Sequence, residues 1–294
     1  MAPMNKTEPL CRLVRFDATD DYALSGLLYE PKRATKRAIV WLHGTGGASI
    51  FDSRRTNILA AEFTTRGFAF FPFNNRGAHL MRRNGGMAYE CIRDCVYDID
   101  GALREIRRRG YRDITLAGHS TGANKIAVYD HRKPRNHVQR YVLLAGGDDT
   151  GLTLSALGRK SARALKLARS LKNSEELVPS WASPLPMSWR SFYDMINPDG
   201  DYNVFPFREV MRRKRISRRP LFRYVRAIRK PSLFIYGEND EYCYGDVPRC
   251  AAILSEYIGA NAEIAIMEDA DHGFGGKESE LAELMTNWIY DSSS

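Results

Sequence analysis

The stretch Gly118-His119-Ser120-Thr121-Gly122 sets a serine between two glycines, each two residues away. A serine hydroxyl attacks acyl groups only when a base takes its proton, a third group holds that base, and N–H donors face the developing oxyanion. Small residues two positions either side let such a serine occupy a sharp strand-to-helix turn with its hydroxyl exposed. The apolar run Ile114–Ala117 before the motif and the helix-forming stretch Ala123–Asp130 after it supply that context. His272, in Asp269-Ala270-Asp271-His272-Gly273-Phe274, is the only histidine in the second half of the chain. A neutral imidazole near pH 7 can accept the serine proton and return it later to the leaving group. Structural roles suit the other histidines better. His43 lies at a strand-loop corner, His119 inside the serine turn, and His79, His131 and His137 in polar segments.

These side chains need elements to carry them. Cys11–Phe16 and Ala23–Tyr29 read as strands of an opening hairpin around the polar turn Asp17–Asp21. Ala38–Leu42 is a buried strand running into His43-Gly44-Thr45-Gly46-Gly47, and Phe68–Phe73 is another, ending in Asn74-Asn75-Arg76-Gly77. Between them Arg55–Thr65 predicts a helix stopped by Gly67. In Asp94–Arg109, Cys95, Ile99, Ala102, Leu103 and Ile106 fall at helical spacing, and a basic last turn suits the helix dipole. Tyr141–Ala145, Ser232–Tyr236 and Ala262–Met267 predict further strands, with a helix near Val247–Ile258. A last helix carries Leu281, Leu284, Met285, Trp288 and Ile289 on one stripe. Strands alternating with helices call for a mostly parallel sheet covered on both faces.

Residues Thr150 to Arg229 break that rhythm. Leu154, Leu157, Ala164, Ala168 and Leu171 predict one amphipathic helix, followed by an aromatic stretch holding Pro179, Pro184, Pro186 and Pro198. The expected layout is a core of 1–149 and 230–294, with 150–229 inserted as a lid.

With these motifs in this order, nearly the whole chain resembles the α/β-hydrolase superfamily, in its serine-hydrolase branch. The resemblance implies a nucleophile, acid and histidine in the order Ser120, Asp240, His272. It puts the acid on the loop after the strand that follows the lid, where Tyr236-Gly237-Glu238-Asn239-Asp240 stands. Glu238, Asp246 and Asp148 compete with Asp240 for that role. It also implies an oxyanion hole made by the N–H groups of Thr121 and Thr45, with Gly46 as the alternative to Thr45. The lid would supply the substrate pocket, and Trp181, Trp189, Phe192, Tyr193, Tyr202, Phe205 and Phe207 are the aromatic candidates for its wall. Arg76 suits a structural ion pair better than a substrate contact. Gly-His-Ser-Thr-Gly and Asp94-Cys95-Val96-Tyr97-Asp98-Ile99-Asp100 are also similar to a lidded esterase group that includes fungal siderophore-ester hydrolases; these motifs cover under half the chain.

The expected activity is therefore hydrolysis of a small-molecule carboxylic ester through an acyl-enzyme. Amide, thioester, lactone or carbon–carbon hydrolysis, or ligand binding on a hydrolase scaffold, are the alternatives. Composition agrees: 294 residues, 44% hydrophobic and 27% charged, are ordinary globular material. No run approaches the roughly 18 apolar residues of a membrane span. The polar start, Met1 to Leu10, has no secretory pattern, so a cytoplasmic address is expected and the triplet Asn5-Lys6-Thr7 carries little meaning. Five cysteines without paired spacing predict reduced thiols, no metal site is expected, and no cofactor is implied. Net charge is +9, and between Gly158 and Lys230 Lys and Arg outnumber Asp and Glu 18 to 6. A solvated basic face explains this better than nucleic-acid binding, because no recognition module is visible.

Overall fold

The apolar strands and helices assemble into one eight-stranded sheet in a computed structural model that describes residues 9–45, 53–76, 78 and 88–292. Gly46, Gly47, Gly77, His79 and the triplet at residues 5–7 lie outside the described residues. Leu10–Asp17 (β1) and Ala23–Glu30 (β2) form the antiparallel opening hairpin, with Leu13 opposite Leu27. Arg37–Leu42 (β3), Ala69–Phe73 (β4), Asp113–His119 (β5), Arg140–Leu144 (β6), Ser232–Gly237 (β7) and Ala262–Met267 (β8) complete it. The order is β1-β2-β4-β3-β5-β6-β7-β8, parallel from β4 to β8.

The helices cover both faces, as the alternation requires. Ser53–Thr65 (α1) and Glu278–Asp291 (α9) lie on one face, over Ile39, Trp41, Phe70, Ala117, Val142 and Ile235. Cys95–Arg108 (α2) and Thr121–Arg132 (α3) lie on the other, over Val40, Leu42, Phe71, Leu116 and Leu143. Neighbouring residues of one strand thus enter different cores, because strand side chains alternate. The central strands β3, β4 and β6 are mainly apolar because both of their faces are buried.

The connections place the site. After β3 the chain turns into α1 and returns as β4 on one side. After β5 it turns into α3 and returns as β6 on the other. The two loops part between neighbouring strands, and a crevice opens there beyond the carboxyl ends of a parallel sheet.

Between β6 and β7 run Asp149–Leu157 (α4), Ser161–Ser170 (α5), Trp189–Ile196 (α6) and Phe207–Met211 (α7). The single amphipathic helix expected here is two helices, because Gly158 takes φ +52° and a tight turn at Gly158–Lys160 separates them. A left-handed residue ends an α-helix, and glycine adopts it without steric cost. Phe192, Tyr202, Phe205 and Phe207 of this segment share one core with Phe234 and Tyr236 of β7. The helix after β7, Val247–Ser255 (α8), is capped by Asp246 and stops three residues short of the expected end. Asp94 belongs to a short turn before α2, and Ala145, expected at the end of β6, has φ +48° and leaves the strand.

Candidate active site

Ser120 stands between β5 and α3 with φ +57° and ψ −126°, a conformation that side chains rarely adopt. Two close approaches force the turn to carry glycines. A Cβ on Gly118 would lie 2.5 Å from the carbonyl oxygen of Gly122, and one on Gly122 would lie 2.6 Å from that of Leu42. The strain is held by hydrogen bonds, from Ser120 N–H to the Leu144 carbonyl at 2.8 Å and from Ala123 N–H to the Ser120 carbonyl at 2.8 Å. The serine hydroxyl is thereby presented at the mouth of the crevice instead of within the sheet.

His272 lies on the loop after β8, and its Nδ1–H donates to Oδ1 of Asp240 at 2.9 Å. Asp240 follows β7 and is only 2% exposed. The Tyr242 N–H also donates to Oδ1 at 2.9 Å, while Oδ2 has no hydrogen-bond partner among the described residues. With Nδ1 protonated toward the carboxylate, Nε2 keeps its lone pair and can accept a proton. The ring of Tyr242 meets the imidazole edge-on at 4.5 Å between centroids.

The competing carboxylates are used elsewhere. Asp148 caps α4 through Gly151 N–H at 2.8 Å and also accepts from Arg208 N–H and the Tyr244 hydroxyl. Glu238 accepts from Asp269 N–H, and Asp246 from Arg249 N–H.

His119 and His43 are buried and bonded into the frame. His119 Nε2–H donates to the backbone oxygen of His272 at 2.7 Å, tying the serine turn to the histidine loop. His43 Nδ1–H donates to the Gly44 carbonyl, and its Nε2 accepts from Asn75 N–H at 3.0 Å. Burial above all, with the nearby Lys125 charge, holds His43 neutral down to about 3, and burial pushes His119 well below the usual range.

The loop after β3 runs against the serine: a Cβ on Gly44 would lie 2.9 Å from Ser120 Cβ. Thr45 follows, and its hydroxyl touches that of Thr121. Thr121 is the first residue of α3, so its N–H has no intrahelical acceptor and points out of the helix end. The Thr121 hydroxyl donates to Oδ2 of Asp149 at 2.9 Å, which leaves the Thr45 hydroxyl to donate to Thr121.

Ser120, His272, Thr45 and Asp149 line one cavity of about 820 Å³. Trp181 and Phe192 are on its wall, with Leu152, Leu157, Met187 and Met195. Trp189 is a correction to the sequence reading. It is buried behind the wall, edge-on to Phe192 at 6.0 Å, because α6 turns the neighbouring face to the cavity. Tyr193, Tyr202, Phe205 and Phe207 do not line the cavity either. Asp149, Arg55 and Tyr242, absent from the sequence candidates, do. Arg76 bonds Asp98 through Nε at 2.9 Å and Asp20 through Nη2 at 2.8 Å, a structural clamp away from the cavity. The described cysteines are all free, and no cluster among the described residues could hold a metal ion. No described helix is long and apolar enough to cross a membrane.

Sheet order, strained serine turn and paired histidine define an α/β hydrolase by architecture. The chain belongs to the family of α/β hydrolases described as serine aminopeptidase S33, which matches residues 33–275. Solved structures agree on the fold at low identity. The α/β hydrolase GrgF from Penicillium sp. sh18 has a TM-score of 0.70 at 15% identity, covering 96% of this chain and 99% of its own. A soluble variant of monoglyceride lipase from Saccharomyces cerevisiae has a TM-score of 0.67 at 16% identity, covering 99% and 98%. Est1E from Butyrivibrio proteoclasticus has a TM-score of 0.62 at 14% identity, covering 95% and 98%. No curated protein matches the sequence.

Proposed function

We propose that the protein is a serine hydrolase that cleaves a carboxylic ester through an acyl-enzyme. The observation that carries this reading is the Asp240–His272 pair, 2.9 Å apart, sharing a cavity with a serine held at positive φ. Ser120 Oγ attacks the ester carbonyl as His272 Nε2 takes its proton. Asp240 stabilises the imidazolium, and the N–H groups of Thr121 and Thr45 receive the oxyanion. His272 then protonates the departing alcohol, and water repeats the sequence on the acyl-enzyme. The segment 150–229 serves as the lid, and its Trp181 and Phe192 hold the apolar part of the substrate. The likeness to a monoglyceride lipase, and the size of an apolar-walled cavity, favour an ester.

A fluorophosphonate probe should label the native protein and leave Ser120→Ala unlabelled. Equal labelling of the two ends this reading. The family description favours peptide bonds as a second reading. Ethyl esters and aminoacyl anilides offered side by side decide between them, and faster anilide cleavage would replace the ester.

A further inference from the structure

Among the described residues lining the cavity, Asp149 is the only carboxylate. Its two oxygens differ. Oδ2 is engaged, receiving the Thr121 hydroxyl at 2.9 Å and Asn124 Nδ2–H at 3.0 Å. Among the described residues no hydrogen bond reaches Oδ1, and no Lys or Arg is paired with the carboxylate. Leu152, Ala156, Leu157, Phe192 and Met195 supply apolar wall to the same cavity. An acceptor oxygen that lines the cavity with no protein donor is open to a donor brought by a ligand.

Its location says where on the ligand that donor sits. Asp149 is bonded to the side chain of the residue next to Ser120, and the N–H of that residue faces the oxyanion on the reading above. The open oxygen therefore lies beside the carbonyl under attack, on the cavity side.

We propose that Asp149 selects the substrate: its Oδ1 accepts a hydrogen bond from a hydroxyl carried one or two carbons from the scissile carbonyl. The preferred substrates are then hydroxyacyl esters, not plain alkyl esters, and acyl groups bearing a carboxylate are repelled. This rests on the ester-hydrolase reading. Burial lifts the Asp149 carboxyl to about 7, with Asp148 adding to the rise and Thr121, His272 and Lys125 opposing it. Above about 7 the ionised Oδ1 accepts the hydroxyl; below it the proton sits on this same oxygen, because Oδ2 already receives two donors, and the preference weakens.

The same geometry makes one substitution diagnostic. In Asp149→Asn, the donors from Thr121 and Asn124 still require an acceptor on the inner side. The amide oxygen turns inward, and its NH₂ faces the cavity where an acceptor had been. The tie to Thr121 persists while the selecting atom becomes a donor.

The experiment compares kcat/KM for ethyl butyrate and ethyl 3-hydroxybutyrate. The native enzyme is expected to favour the hydroxy ester by at least about tenfold, well inside what a site built to bond a hydroxyl can reach. Because a hydroxyl can also accept from that NH₂, the variant is read with ethyl 3-methoxybutyrate, which only accepts: the native enzyme is expected to give it no advantage over ethyl butyrate, and Asp149→Asn to favour it several-fold. A hydroxy-to-plain ratio of one in the native enzyme, a native preference for the methoxy ester equal to that for the hydroxy ester, or no gain for the methoxy ester in the variant overturns the proposal. A native enzyme that cleaves neither ester and takes no fluorophosphonate overturns the underlying hydrolase reading instead.

Discussion

At the scale of single residues, the site buries two of its histidines and commits the third to a carboxylate. His43 and His119 stay neutral because they are buried, which outweighs backbone hydrogen bonds that favour the charged form, while His272 faces the cavity with one nitrogen committed to Asp240. That commitment can be tested. Asp240→Asn would offer an amide NH₂ to Nδ1, favouring the wrong tautomer, and kcat is expected to drop by about 10³- to 10⁴-fold with KM little changed. An intact kcat would show that Asp240 does not orient the base. The Asp149 carboxyl gives a second readout at this scale. Its folded pKa is raised, so it is protonated below about 7 and ionised above. An ionised oxygen is the stronger acceptor. The preference for a hydroxyacyl over a plain ester should therefore grow as pH rises through 7, measured as a ratio so that pH effects common to the two esters cancel.

At the scale of elements, Gly122 shows how little room the turn leaves. A methyl at that position would meet the Leu42 oxygen at 2.6 Å and the His43 oxygen at 2.9 Å, so α3 and β3 would have to part. Overpacking of this kind costs about 1–3 kcal/mol. Gly122→Ala is expected to lower Tm and to lose esterase activity together, and an unchanged Tm would contradict the close contact. The turn was legible in the sequence because its constraint is local, as two glycines and the elements on either side lie within a few residues. Asp240 and His272 were placed instead by the superfamily resemblance, which puts an acid on the loop after β7 and a histidine after β8. What was not legible depends on distant packing. Which face of α6 meets the cavity decides Phe192 over Trp189, and no local pattern records it. Asp149 gave one local cue, a second acidic residue just after Gly146-Gly147 at a strand end. Its importance appears only when α3 brings Thr121 and Asn124 against it.

At the scale of the whole molecule, the segment between β6 and β7 packs as part of the sheet's own interior. Phe205 meets Phe234 edge-on at 6.4 Å and lies so close to Gly146 that a Cβ there would approach its ring to 2.6 Å. Removing that ring leaves a large hole between segment and strand. Phe205→Ala is expected to cost about 3–5 kcal/mol and to lower the midpoint of a single calorimetric transition. A separate early transition would mean that the segment unfolds on its own. The basic surplus of this region is partly neutralised in place. Arg93, Arg132 and Arg223 converge on Asp201, Arg218 pairs with Asp199, and Arg215 with Glu209.

The bond from His119 to the backbone of His272 spans 153 positions of sequence. It makes the middle of the Gly-His-Ser-Thr-Gly motif a strut for a loop near the other end of the chain. Exchanging His119 for an apolar residue would leave Ser120 in place yet let the imidazole wander. The resulting enzyme would look, in its kinetics, like one damaged at residue 272.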